Sequence, residues 1–200
     1  MYFENSFPAN SCRPTGSIEV ICGSMFSGKT EELIRRINRV KIAKRNIMIF
    51  KPSLDYRYSQ HDIVSHRHNS SEAIPVQSSR VISNMVTEEV DVVAIDEAQF
   101  FDHNIVNVAN ELASAGKRVI LAGLDMDFMG QPFGPMPNLM AIADDVYKCR
   151  AICMKCGHLA NYSYRIADSA EQVLIGEKQE YMPLCRKCYE EMMQDKNQNG

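Results

Sequence analysis

The eight residues Gly23-Ser24-Met25-Phe26-Ser27-Gly28-Lys29-Thr30 satisfy the pattern G-x-x-x-x-G-K-[ST] at every fixed position. A strand-like run, Ile18-Glu19-Val20-Ile21-Cys22, leads into them, and a helical run follows, with Leu33, Ile37 and Val40 on one face. Strand, glycine-rich loop and helix in that order make a P-loop. Backbone N–H groups of such a loop wrap a nucleotide's β-phosphate, Lys29 adds a point charge near the β and γ oxygens, and the Thr30 hydroxyl can take Mg²⁺. Gly23, Ser24, Met25, Phe26, Ser27, Gly28, Lys29 and Thr30 are therefore the first candidate ligands for ATP and its metal. The phosphates would sit at a helix N-terminus, where the helix dipole favours anions. Glu31/Arg35 and Glu32/Arg36 have the spacing of supporting ion pairs.

A second strand-like segment, Val90-Asp91-Val92-Val93-Ala94-Ile95, is rich in β-branched residues and reads as a strand buried on both faces of a parallel sheet. It delivers Asp96-Glu97-Ala98-Gln99-Phe100-Phe101. An apolar strand ending in a carboxylate, downstream of a P-loop, has the form of a Walker B element. Asp96 would help to hold Mg²⁺, with Gln99 nearby on the nucleotide side, and Glu97 would act as general base. Asp-Glu-Ala-Gln is also the form of helicase motif II, in which the glutamate activates water. Helicases of that kind need two nucleotide-binding lobes and basic strand-tracking grooves. One lobe and a formal net charge of −3 favour an acceptor hydroxyl on a small molecule over water and give no sign of nucleic-acid binding.

The remaining segments place these motifs in an α/β fold. Residues 46–50 read as a strand stopped by Lys51-Pro52, residues 103–115 as a helix capped by Asp102 and closed by Gly116, and residues 118–122 as another buried strand. Strands alternating with helices point to a mainly parallel sheet flanked by helices. Residues 53–80 are polar, hold three of the five histidines, and are expected to form a surface loop over the site. Residues 131–139, with three prolines, are expected to be irregular. Residues 1–16 are expected to be a disordered leader, 17–148 the P-loop α/β domain, 149–193 a small subdomain, and 194–200 a frayed tail. No apolar run approaches the roughly 18 residues needed to span a bilayer, and the first residues lack the pattern of a signal peptide. A cytoplasmic protein is expected.

Five of the seven cysteines lie between positions 149 and 188. In a reducing compartment such crowding points to metal rather than disulfides. Cys153-Met154-Lys155-Cys156 and Cys185-Arg186-Lys187-Cys188 are two C-x-x-C pairs. Four thiolates complete a tetrahedral Zn²⁺ site with no open position, so the zinc is expected to be structural. Between the pairs lie an alternating strand, Asn161-Tyr162-Ser163-Tyr164-Arg165, and a segment that turns at Gly176 and presents Tyr181.

The P-loop, Asp-Glu-Ala-Gln-Phe-Phe, the stretch from Leu124-Asp125 through Phe128 to Pro132-Phe133-Gly134, and the paired-cysteine module occur together in one family. From about residue 18 to residue 192 the chain resembles the cytosolic-type thymidine kinases, the type II deoxynucleoside kinases. The resemblance implies transfer of a phosphoryl group from ATP to the 5′-hydroxyl of thymidine, with Glu97 as base. It implies that Asp55 and Arg57, in Leu54-Asp55-Tyr56-Arg57-Tyr58, lie near the phosphates. It implies a base pocket lined by Met25, Phe100, Leu124, Phe128, Phe133 and Ser163. A lasso loop carrying Val173, Leu174, Ile175 and Gly176 would close over thymine, with Tyr181 on the sugar–base side. The family pattern runs Ile-Gly-Gly there, whereas Glu177 follows Gly176 in this chain. The resemblance also implies a homotetramer, feedback inhibition by dTTP and use of deoxyuridine. The competing reading is a zinc-stabilised ATPase or regulatory module, whose ATP turnover would not depend on a nucleoside.

Overall fold

The computed structural model describes residues 16–53, 73–166 and 180–199. A six-stranded parallel sheet is built from β1 (Ser17–Gly23), β2 (Ile47–Pro52), β3 (Ile74–Val76), β4 (Val92–Ile95), β5 (Arg118–Gly123) and β6 (Asp145–Cys149). Their order across the sheet is β3-β2-β4-β5-β1-β6. The central strands are almost wholly buried, as parallel strands covered on both faces must be.

Helix α1 (Lys29–Ile42) covers one face. Leu33, Ile37 and Val40 pack there against Ile21, Ile49, Val92, Ala94, Ile120 and Ala122. The opposite face carries the larger core, where Val20, Cys22, Phe50, Val93, Ile95, Val119 and Leu121 meet α2 (Ser79–Met85), α3 (Ile105–Ser114) and α4 (Met136–Ile142). Adjacent residues such as Val20 and Ile21 thus feed different cores, the period-2 consequence of the extended chain. Buried Arg36 ties α1 to the sheet edge-on. Its guanidinium bonds Glu19 of β1 and, at 2.8 Å, Glu32, while Arg118 of β5 holds the other side of Glu19 at 2.6 Å. Burial would raise the Glu19 carboxyl, but the Arg118 and Arg36 guanidiniums prevail and hold it below its ordinary value. The P-loop helix is therefore locked to the strands that carry the site.

Several expectations are corrected here. Residues 74–76 form a strand and a helix starts at Ser79, inside the stretch expected to be loop. A three-residue strand shows no period in sequence, and α2 takes its start from outside itself: Asp102 accepts from the Ser79 N–H at 2.9 Å and from its hydroxyl at 2.7 Å. Helix α3 starts at Ile105 rather than at 103, and its cap is Asn104, not Asp102; Asp102 instead accepts the Asn104 N–H at 3.1 Å and orders the turn before the helix. Helix α4 begins within the proline-rich 131–139 stretch; Pro135 is its cap and Pro137 lies in its first turn, where no N–H partner is required. Pro52 is part of β2 rather than beyond its end.

Past β6 comes the small subdomain. It holds two antiparallel pairs, β7 (Ala151–Ile152) with β8 (Leu159–Ala160), and β9 (Tyr162–Arg165) with β10 (Tyr181–Leu184), followed by α5 (Arg186–Asn199). Its own core is Ala151, Cys153, Ala160, Tyr162, Tyr164, Leu184, Cys188 and Tyr189. All four residues of β9 are buried, so it does not alternate between core and solvent. Cys149 ends β6 and packs in the sheet core, apart from the other four clustered cysteines. Helix α5 continues to Asn199, through residues expected to fray; nothing before Gly200 breaks a helix, and Arg186–Glu190 and Lys187–Glu191 have i,i+4 spacing. Among the described residues no helix is long and apolar enough to cross a membrane.

Candidate active site

Strand β5 lies between β1 and β4. The loops leaving all three strands therefore share one edge of the sheet, where parallel α/β proteins bind ligands. The β1 exit is the P-loop. Gly23 has φ 140°, and a Cβ on it would lie 2.3 Å from the Cys149 carbonyl oxygen. Gly28, at φ 87°, ends the loop and starts α1. Lys29 Nζ donates to the Ser24 carbonyl at 2.8 Å. Burial pulls the Lys29 ammonium below its ordinary value, against the pull of Glu97 and Asp96. Among the described residues, the Ser24 and Ser27 hydroxyls are buried with no hydrogen-bond partner. Orphaned hydroxyls inside a left-handed glycine loop match what phosphate oxygens require.

The β4 exit carries the acids. The Asp96 N–H donates to the Phe50 carbonyl at 2.9 Å, and its carboxylate accepts the Glu97 N–H at 2.9 Å. Burial, reinforced by the neighbouring Glu97 charge, pushes the Asp96 carboxyl up to about 6. Glu97 is exposed and sits in the left-handed region, at φ 51°, a conformation that costs a residue with a Cβ. Buried Gln99 donates through Nε2 to Glu97 at 2.6 Å and accepts the Leu124 N–H through Oε1 at 3.0 Å. The sequence reading places Gln99 with the nucleotide ligands; its amide is taken up at both ends by Glu97 and Leu124. Gly123 and Gly134 make room for it, since a Cβ on either would come within 2.7 and 2.3 Å of Gln99 oxygens.

Around these exits stand the candidate base-pocket residues. Met25, Phe100, Leu124, Phe128 and Phe133 are each half-buried, leaving apolar surface at the sheet edge. Phe100 and Phe133 meet edge to face, centroids 5.5 Å apart. Ser163 is buried and accepts the Met25 N–H at 3.0 Å, joining the subdomain to the P-loop. Tyr181 opposes Arg165 across β9 and β10 and accepts its guanidinium N–H groups. Asp55, Arg57, Val173, Leu174, Ile175 and Gly176 lie outside the described residues.

Three buried polar residues at this edge were given no site role by the sequence reading. Asp127 accepts the Met129 and Gln131 N–H groups, both at 2.9 Å, and shapes the turn that follows Phe128. Asp125 pairs with Lys148 of β6 at 2.6 Å, and its main-chain oxygen takes the Phe133 N–H. Arg165 is 3% exposed. A signal for Arg165 was present: it stands two residues after Ser163 on a strand, hence on the same face.

Cys153, Cys156, Cys185 and Cys188 come together with their sulfurs all within 4.8 Å of one another. Cys156 and Cys185 sulfurs are 3.6 Å apart. Zn–S bonds of about 2.3 Å at tetrahedral angles require S···S edges of about 3.8 Å, so the set fits Zn²⁺. Burial pushes the Cys153 thiol up, but N–H groups of Cys185, Cys156 and Lys155 outweigh it and bring it down to about 6. Cys188 is pushed up to about 12 by burial and its thiol neighbours. One thiolate forms readily there, and a dication is what four would need.

The family model for thymidine kinase matches residues 16–189. The chain is 58% identical over 183 residues to the thymidine kinase of Bacteroides fragilis strain YCH46, covering 92% of each chain. To the thymidine kinase of Bacteroides thetaiotaomicron it is 59% identical over 177 residues, 88% of each. Among solved structures, the flagellar accessory protein FlaH from Methanocaldococcus jannaschii superposes with a TM-score of 0.50 over 85% of this chain and 90% of that one. At 12% identity, that likeness speaks for the α/β fold alone. On the family match and on relatives above 50% identical over nearly its whole length, the chain belongs to the thymidine kinase family.

Proposed function

We propose that this chain transfers the γ-phosphoryl group of ATP to the 5′-hydroxyl of thymidine, and of deoxyuridine, giving the nucleoside monophosphate and ADP for pyrimidine salvage. The carrying observation is that one sheet edge holds a P-loop, an acid pair and a half-buried aromatic pocket, with Gln99 hydrogen-bonding both Glu97 and the pocket residue Leu124.

Glu97 takes the proton from the 5′-hydroxyl as its oxygen forms a bond to the γ-phosphorus and the bond to the β,γ-bridging oxygen breaks. Residues 23–30 cradle the phosphates, and Lys29 neutralises charge as ADP leaves. Thr30 and Asp96 would hold Mg²⁺, which supplies charge neutralisation across the phosphate oxygens. Asp55 and Arg57 belong near the phosphates by resemblance. A groove of about 440 Å³ between α1 and the end of β6, lined by Gly28, Arg35, Tyr147 and Arg150 among others, offers room for the rest of the nucleotide.

Specificity comes from shape and main chain. Met25, Phe100, Leu124, Phe128 and Phe133 are apolar, so the polar edge of the base must be met by main-chain groups of the lasso around Val173, Leu174, Ile175 and Gly176, with Tyr181 beside it. Cytosine's exocyclic amine puts a donor where thymine has an acceptor, and a buried mismatch costs on the order of 1–3 kcal/mol. Cys153, Cys156, Cys185 and Cys188 would hold a structural Zn²⁺, which supplies a cross-link for a subdomain too small to fold alone. A homotetramer, inhibition by dTTP and a cytoplasmic location rest on the family resemblance. A phosphorylation assay over a nucleoside panel tests the reading: thymidine first, deoxyuridine close behind, deoxycytidine and purine deoxynucleosides far below. Equal kcat/KM for deoxycytidine and thymidine would overturn it.

A further inference from the structure

Arg165 is a cation removed from water, at 3% exposure, in the wall between the small subdomain and the loop that leaves β5. Burying a guanidinium is costly unless its geometry is fully used. Here the guanidinium carbon stands 3.7 Å from the centroid of the Phe128 ring. Nε and Nη2 donate to the Tyr181 hydroxyl oxygen at 3.1 and 2.7 Å. Phe128 is held from behind as well, because the Tyr189 hydroxyl donates to its carbonyl at 2.8 Å. Phe128 and Tyr181 come from separate parts of the chain, and Arg165 touches both at once.

The geometry points to Arg165 as the positioning residue of the thymidine pocket, fixing the Phe128 ring and the Tyr181 hydroxyl as one wall. The inference rests on the proposed pocket, to which Phe128 and Tyr181 belong. The planar fork is what the task requires. Lysine keeps the charge but can neither lie flat on a ring nor donate twice to one oxygen from a rigid frame. The nucleoside would thus meet a wall already in place, and the ordering would not have to be met on binding.

The test is steady-state kinetics on the full chain with Arg165→Lys, Tyr181→Phe and Phe128→Ala, alongside zinc content and thermal unfolding. Arg165→Lys is expected to raise the KM for thymidine roughly 10-fold, the scale of one lost charged hydrogen bond and ring contact, with the KM for ATP and the zinc content unchanged. Tyr181→Phe removes one oxygen and should raise the same KM several-fold, about as expected for one hydrogen bond. The double variant should be no worse than the stronger single one, because both break the same contact. If Arg165→Lys loses its zinc or unfolds, Tyr181→Phe decides in its place. A wild-type thymidine KM in whichever variant decides, or equal rises for ATP and thymidine, would overturn the proposal while leaving the pocket intact, provided Phe128→Ala raises the thymidine KM. An unchanged KM in Phe128→Ala would overturn the pocket reading, and this proposal with it.

Discussion

Glu97 and Gln99 are joined by a 2.6 Å hydrogen bond, and the other end of the same Gln99 amide accepts the Leu124 N–H at 3.0 Å. One side chain thereby aims the proposed base and fixes the first residue of the pocket loop. Glutamine is required for this, since Glu97 needs a donor and Leu124 an acceptor.

Two substitutions separate the chemistry from its aim. Glu97→Gln should bind ATP nearly as the parent does while losing roughly 10²–10⁴ in kcat, the usual worth of a positioned base. Gln99→Leu keeps the base but frees it and takes the side-chain acceptor from the Leu124 N–H, so kcat should fall by about 10-fold or more while the KM for thymidine rises. Near-parental phosphorylation by Glu97→Gln would show that another group takes the proton.

The acid pair also sets a pH dependence. The Asp96 carboxyl is pushed up to about 6 from an ordinary 3.8, by burial first and by Glu97 second. A raised carboxyl binds its proton more tightly folded than unfolded, so this group's contribution to stability is lost as pH rises from about 4 to about 6. The apparent affinity for Mg²⁺ should run the other way, weakening as pH drops below about 6, because the metal must then displace a proton from the carboxyl. Asp96→Asn should be more stable than the parent at pH 8, on the order of 1–2 kcal/mol without nucleotide, and the two should converge near pH 4. Thermal unfolding across that range checks it; a parent that outlasts Asp96→Asn at pH 8 would contradict the burial argument.

Ser163 accepts the Met25 N–H and links the subdomain to the P-loop. Ser163→Ala should cost about 1 kcal/mol of that link and raise the KM for both substrates several-fold. Calorimetric binding of each substrate separately would show whether the effect reaches ATP as well as thymidine.

Metal removal is the fourth axis. Cys185→Ser leaves three thiols of a four-thiolate set and should lose zinc and much of the folded subdomain together. Metal analysis should give about one zinc per chain in the parent. Metal-free protein that stays folded and active would contradict a structural ion.

The parts legible in the sequence are those whose information is local. Strands β1, β4 and β5 are buried on both faces, which writes apolar runs directly into the chain. The P-loop and Asp96-Glu97 are contiguous motifs whose residue types carry their chemistry directly. Strand β6 was invisible because it is a sheet edge with four of its five residues exposed, so nothing in Asp-Val-Tyr-Lys-Cys marks it as core. Helix α2 depends on Asp102, 23 residues from the Ser79 it caps, and no local pattern announces that bond. Within the site the same division holds. Gln99 and Arg165 act through atoms that meet Leu124, Phe128 and Tyr181 only once the chain has folded. Motifs therefore announce the phosphate end, while the arrangement of the acceptor wall needs coordinates.

Thymidine-dependent ATP turnover tests the central claim most directly. Purified full-length chain with Mg²⁺ and ATP is assayed for ADP with and without added thymidine, and the product nucleotide is measured alongside. The account predicts that ADP release is near background alone, rises steeply with thymidine, and matches dTMP one for one. ADP release that is equally fast without any nucleoside, with no dTMP formed, would contradict it and mark the chain as a hydrolase.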